Sequence, residues 1–114
     1  MDLDFKMIGN VGVIKLSGTL DLYNASEFKE AMTKYSEQTV NFVIDLAGFK
    51  SYGGDWLAVL VAWLKKISDQ NGDIRIANLP ERIRQSFETP RAYKIFEIFE
   101  DVDTAVKSYQ IDKN

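Results

Sequence analysis

The sequence predicts an α/β domain, a mixed four-stranded sheet with helices packed against it. Three observations carry that prediction. Apolar residues alternate on either side of Gly9-Asn10, as they do in a β-hairpin. Downstream, short β-branched runs and helical periods take turns along the chain. Strand–helix–strand units of that kind close by right-handed crossovers and lay their helices on the sheet.

The hairpin is "LDFKMIGNVGVIKLSG". Leu3, Phe5 and Met7 alternate, Gly9-Asn10 turns the chain, and Val11, Val13 and Leu16 resume with Ile14 between them. "DLYNASEFKEAMTKYSEQ" reads as a helix. Asn24 or Ser26 can cap it, Glu27 and Glu30 sit in its early turns, and Ala25, Phe28, Met32 and Tyr35 run along one side. In "TVNFVIDLAG" the unbroken apolar run Phe42, Val43, Ile44 suits a strand covered on both faces, as in parallel pairing. A helix from about Asp55 to Gln70 follows and stops at Asn71-Gly72. "DIRIAN" is the fourth strand. Pro80 fits the first turn of a helix "PERIRQSFE", which must end before Thr89-Pro90. "AYKIFEIF" adds a last apolar cluster, "VDTAVKSYQ" a final amphipathic helix, and residues 110–114 are expected to fray. No repeat or linker interrupts this order, so residues 1–114 form one domain with its core over about residues 3–109.

Composition excludes several kinds of chemistry. The chain is 46% hydrophobic and 27% charged, which is ordinary for a globular domain. It has no Cys and no His, which removes thiol nucleophiles, disulfides, thiolate or imidazole metal ligands, and the commonest general base at neutral pH. Asp45 stands alone at a strand terminus, and Asp101 and Asp103 lie where acids favour a helix start. No catalytic residue, metal ligand or cofactor site is expected, and an enzyme is not expected. The 14 basic residues are scattered among 17 acids. Arg82, Arg84 and Arg91 alternate with Glu81 and Glu88, so no one-sided basic face invites nucleic acid. "MDLDFKMIGN" does not read as a signal peptide. The longest apolar run, Trp56 to Leu64, is about half the roughly 20 residues that span a bilayer, so a cytoplasmic protein without membrane insertion is expected.

The order of these segments, from about Val11 to Val106, resembles the STAS domain, the family named for sulphate transporters and anti-sigma-factor antagonists. "VIKLSGTLDLYNASEFKEAM" matches that family's strand, Gly-x-Leu-Asp turn and helix. "VIDLAGFKSYGGDWLAVLVAWLKK" and "GDIRIANLPERIRQSFE" match its next strands and helices, and "AYKIFEIFED" its closing Leu-x-x-x-Phe-x-Ile-Phe segment. The five pieces together, in order and at matching spacing, carry the resemblance, and they imply the STAS (SpoIIAA-like) fold. In anti-sigma-factor antagonists of that family, the unphosphorylated protein binds an anti-sigma serine kinase and frees the sigma factor. Phosphorylation of one serine breaks the complex.

This chain departs from the family at "YGGDW". Aligned on Asp45-Leu46 and on Leu57, Val59 and Leu60, the family's Asp-Ser-Ser-Gly falls on Gly53, Gly54, Asp55 and Trp56, so the phosphoacceptor position is Gly54. A phosphoserine there would add close to two negative charges at a helix start, and glycine has no oxygen to carry them. Asp55 either caps the helix or imitates a phosphate with a single charge, and the capping account is preferred. Its carboxylate also argues against a phosphate-cradling loop, and no Gly-Lys-Ser/Thr ending completes a P-loop, so a nucleotide or small-anion module is disfavoured. Ser51 and Tyr52 are the only hydroxyls beside the missing acceptor and are candidates for a displaced phosphosite.

The long helix carries the second question. At 100° per residue Leu57, Leu60, Leu64 and Ile67 share the sheet-facing side, while Trp56, Val59 and Trp63 form a stripe on one shoulder. The tryptophans either lie beneath a neighbouring helix or form an exposed ridge, where Trp is enriched at interaction hot spots. The resemblance implies that this helix meets partners, which favours the ridge. The expected partner-binding residues are therefore Asp21, Tyr52, Gly53, Gly54, Asp55, Trp56, Val59 and Trp63, with capping of the next helix as the other role for Asp21. The implied function is a protein-binding module of the anti-sigma-factor antagonist type in a partner-switching system, blind to phosphorylation at the usual site. The alternative is a structural STAS subunit of a lipid ABC transport complex, or a homo-oligomer.

Overall fold

The structure, a computed structural model, describes residues 1–51, 55–87 and 95–111. Strands β1 (Asp2–Ile8) and β2 (Val11–Ser17) form the hairpin, with Ile8 paired to Val11 across a two-residue turn. Gly9 takes φ +60 there, a left-handed angle that its missing side chain permits. Helix α1 (Ala25–Tyr35), strand β3 (Asn41–Asp45), helix α2 (Asp55–Ser68), strand β4 (Asp73–Ala77) and helix α3 (Glu81–Phe87) follow. Strand β5 (Ile98–Phe99) and helix α4 (Val102–Ile111) close the chain.

The sheet has five strands in the order β1-β2-β3-β4-β5, one more than the sequence suggests. Only the β1–β2 pair is antiparallel. The added strand comes from the last apolar cluster. Ile98 and Phe99 pair with Ile76 and Ala77, and two residues are too few to display an alternation. Gln110 and Ile111 also belong to α4 and do not fray from it.

Alternation along each strand sorts the core into two layers. Ile14 and Leu16, Phe42 and Ile44, and Ile74 and Ile76 point to one face, where α1, α2 and α3 supply Phe28, Met32, Leu60, Ile67 and Ile83. Val11, Val13, Val43 and Ala77 point to the other, beneath Ala105, Val106 and Tyr109 of α4. Gly12 lets the Phe5 ring lie across the hairpin, since a Cβ there would stand 2.7 Å from it. That ring stacks on Tyr35 of α1 at 4.1 Å.

A buried cation fastens α4 to the sheet. Arg75 Nε donates to Asp73 at 3.0 Å, Nη1 donates to Ser108 Oγ at 2.6 Å, and the guanidinium lies 3.9 Å from the Tyr109 ring centroid. The Tyr109 hydroxyl donates to the Phe42 carbonyl at 2.6 Å, with the Asp73 carbonyl at 2.9 Å. Burial, then the Asp73 carboxylate, pushes this phenol well above its ordinary range, so it stays a neutral donor.

Candidate protein-binding site

The carboxyl ends of β2 and β3 lead into two loops that grip each other. Gly18 N–H donates to the Gly48 carbonyl at 2.9 Å, and Lys50 N–H donates to the Gly18 carbonyl at 2.7 Å. Ser51 completes the tether. Its Oγ accepts from Leu20 N–H at 2.8 Å and donates to the Leu20 carbonyl at 3.1 Å. From the other side Arg82 of α3 donates Nη1 to the Ser51 carbonyl at 2.8 Å and Nη2 to the Phe49 carbonyl. These bonds fix the loop after β3 as far as Ser51 and the turn that precedes α1. Open α/β sheets commonly place their sites at this end of the strands.

The turn itself is built by Asp21 and Asn24. Asp21 Oδ1 accepts from Tyr23 N–H at 2.8 Å and Asn24 N–H at 3.1 Å. Asn24 Oδ1 accepts from Asp21 N–H at 2.9 Å, and its Nδ2 donates to the Thr19 carbonyl. Asn24 thus occupies the N-cap position of α1 but spends its side chain on the preceding turn, making no side-chain bond to the helix amides. Asp21 likewise braces the turn. The consequence is a knuckle that displays Leu22 at 70% and Tyr23 at 97% exposure. Two bulky apolar side chains held in water by a rigid turn are the part of this site that the sequence reading missed. The signal was available: an apolar pair between two turn-forming residues, outside the period of the helix that follows.

The tryptophans correct the expected ridge. Trp56 has no exposed surface and Trp63 is 7% exposed. Trp56 meets the edge of Phe49 at 5.1 Å, and Trp63 packs into the same core cluster with Lys66 Nζ 4.7 Å from its ring centroid. The buried face of α2 is Trp56, Leu60, Trp63, Leu64 and Ile67, while Leu57 and Val59 are half-buried flanks. The helix is rotated by roughly 40° from the expected face, because two indoles deliver more apolar area to the core than one leucine. The exposed side of α2 carries Asp55, Ala58, Ala62 and Lys65.

Asp55 is exposed in the first turn of α2, where its charge opposes the helix dipole. Ser51 is buried with its hydroxyl doubly bonded, which argues against a displaced phosphosite there. Tyr52, Gly53 and Gly54 lie outside the described residues. Asp45 serves the backbone, accepting from Ala47 N–H and Asn78 Nδ2 at 3.0 Å each.

The STAS domain family model matches residues 2–105. The chain belongs to the STAS domain family. Among relatives of this STAS domain, the anti-sigma-B factor antagonist of Bacillus subtilis (strain 168) is 26% identical over 98 residues, covering 86% of this chain and 90% of that protein. A candidate anti-sigma factor antagonist of Thermotoga maritima superposes with a TM-score of 0.85 at 19% identity, over 95% of this chain and 94% of that one. The Bacillus cell fate determinant SpoIIAA, in its phosphorylated form, superposes with a TM-score of 0.72 at 11% identity, over 95% and 99%. The structural likenesses establish a shared fold. No helix among the described residues is long and apolar enough to cross a membrane.

Proposed function

We propose that this STAS domain is a cytoplasmic binding module of the anti-sigma-factor antagonist type, acting by partner switching on an anti-sigma factor of the serine-kinase kind. The observation that carries the reading is the braced knuckle, with Leu22 and Tyr23 exposed beside the tether that leads into α2. An aromatic and an aliphatic side chain already held in position lose little freedom on docking, which favours affinity. The 26% identity to an anti-sigma-B factor antagonist over most of both chains supports the partner class. Asp55, exposed at the start of α2, is proposed to belong to the same face, and so, by their place in the sequence between Ser51 and Asp55, are Tyr52, Gly53 and Gly54. Val59, a half-buried flank of α2, is proposed as part of it, with the two buried tryptophans as the support of that helix.

With glycine at position 54 the module has no acceptor oxygen at the usual place. It is therefore proposed to be regulated by abundance or competition and not by phosphate. Two measurements test this. Titration calorimetry against the cognate anti-sigma factor should show tight binding that Leu22→Asp with Tyr23→Asp abolishes, while circular dichroism stays unchanged. Incubation with that kinase and ATP should leave the intact mass unaltered. A phosphate gained within residues 51–56 would overturn the phosphate-blind reading. Co-purification with a membrane transport complex in place of an anti-sigma factor would overturn the partner reading.

A further inference from the structure

Among the described residues the sheet ends on one side at β1, a seven-residue strand whose outer backbone edge pairs with no other strand. Exposed edge strands are usually short, bulged, covered or charged against pairing. The charges on β1 have a different property, because they complement themselves.

The two-residue turn closes on the pair Ile8–Val11. Counting back from this hydrogen-bonded pair, the antiparallel ladder turns the amide groups of Asp2, Asp4, Lys6 and Ile8 toward β2. Those of Leu3, Phe5 and Met7 face outward. A second β1 arriving antiparallel must bond to those odd-numbered residues, so a two-fold axis can fall on Asp4, Phe5 or Lys6. Centring on Asp4 opposes two aspartates, and centring on Lys6 opposes two lysines. Centring on Phe5 pairs the whole strand and sets Asp4 of each copy against Lys6 of the other. It makes about six inter-strand hydrogen bonds. Asp4 and Lys6 would form the non-hydrogen-bonded pairs, in which side chains approach most closely. Leu3 then opposes Met7 on the helix-covered face, and Ile8, 37% exposed, gains a neighbour in Asp2.

We infer that this protein forms a two-fold dimer with a second copy of itself through the β1 edges, in the register centred on Phe5. The interface is isologous, as a closed pair requires. It extends the sheet without using the Leu22–Tyr23 knuckle, so it stands apart from the partner reading and can fail without it.

Charge exchange at Asp4 and Lys6, both exposed, tests the inference by sedimentation equilibrium at low salt. Wild type should be dimeric. Lys6→Asp alone and Asp4→Lys alone should be monomeric, since each sets like charges opposite one another. The equimolar mixture of the two should recover the dimer, and so should the doubly exchanged chain. Circular dichroism checks that each variant is folded. In a mixture of isotope-labelled and unlabelled wild type, an inter-copy Hα–Hα contact between Asp4 and Lys6 should appear. A wild type that stays monomeric at about millimolar concentration overturns the inference. So does a dimer that survives Lys6→Asp, or single variants that do not recover when mixed.

Discussion

Helix α2 and the turn before α1 both carry bulky apolar residues beside the same loop pair, and the fold treats them oppositely. Trp56 and Trp63 recur at helical spacing with Leu60, Leu64 and Ile67, so a single rotation buries all five against the sheet. Leu22 and Tyr23 have no such companions. Their backbone amides are held by Asp21 and Asn24 before the helix begins, and no period carries them inward. A large side chain is therefore better judged as surface or core by whether its element can rotate it inward than by its own hydrophobicity.

The sharpest way to break that contrast is to truncate one residue from each side. Trp56→Ala removes a fully buried indole and should cost about 3–5 kcal/mol in chemical denaturation. That is a large share of the 5–15 kcal/mol typical of a domain. Tyr23→Ala should stay within about 0.5 kcal/mol of wild type, because the ring is almost wholly solvated. Partner affinity should fall for both, by unfolding in the first case and by lost contact in the second. Equal destabilisation by the two substitutions would refute the distinction.

Next comes the tether. Ser51→Ala leaves the buried Leu20 N–H and carbonyl without their partner and should cost about 1–3 kcal/mol. Arg82→Ala frees the Phe49 and Ser51 carbonyls from the opposite side. Its side chain is better solvated, so about 1.5 kcal/mol is expected. Both should loosen the knuckle. Amide exchange at Tyr23 and Asn24 should accelerate in each variant more than exchange in β3 does. Unchanged protection at the turn would mean that Asp21 and Asn24 hold the knuckle unaided.

The same contrast explains what was legible in the sequence. Strands β1 to β4 and helices α1, α2 and α4 announce themselves by period, because each has enough residues to display a buried face. β5 does not, since Ile98-Phe99 is a strand only by virtue of its pairing with Ile76-Ala77. The orientation of α2 was open for another reason. Its apolar arc, from Val59 through Trp56 and Leu60 to Leu57, is wider than one face, so the period does not settle which part lies deepest. The turn before α1 was hidden because hydrogen bonds from side chain to backbone have no period. Asp21 and Asn24 read as cap residues, and only the geometry shows their bonds directed to the turn.

The smallest effect separates two aspartates that do similar work in different settings. Asp21 braces a turn, whereas Asp101 accepts from Thr104 N–H at 2.8 Å at the start of α4. Its bonds from the backbone, then the hydroxyl, of Thr104 hold that carboxyl below the usual carboxylate range. A lowered folded-state pKa means that the stabilisation is fully present above the ordinary aspartate pKa. It is lost as pH falls through the lower folded value. Asp101→Ala should therefore reduce Tm slightly at neutral pH, with the gap to wild type narrowing in acid, while Asp101→Asn keeps most of the capping. Because α4 is also fastened by Arg75 and Tyr109, losing its cap should leave partner binding at the distant knuckle untouched. A fall in affinity at neutral pH would show that the two faces of the sheet are coupled through β2 and β3.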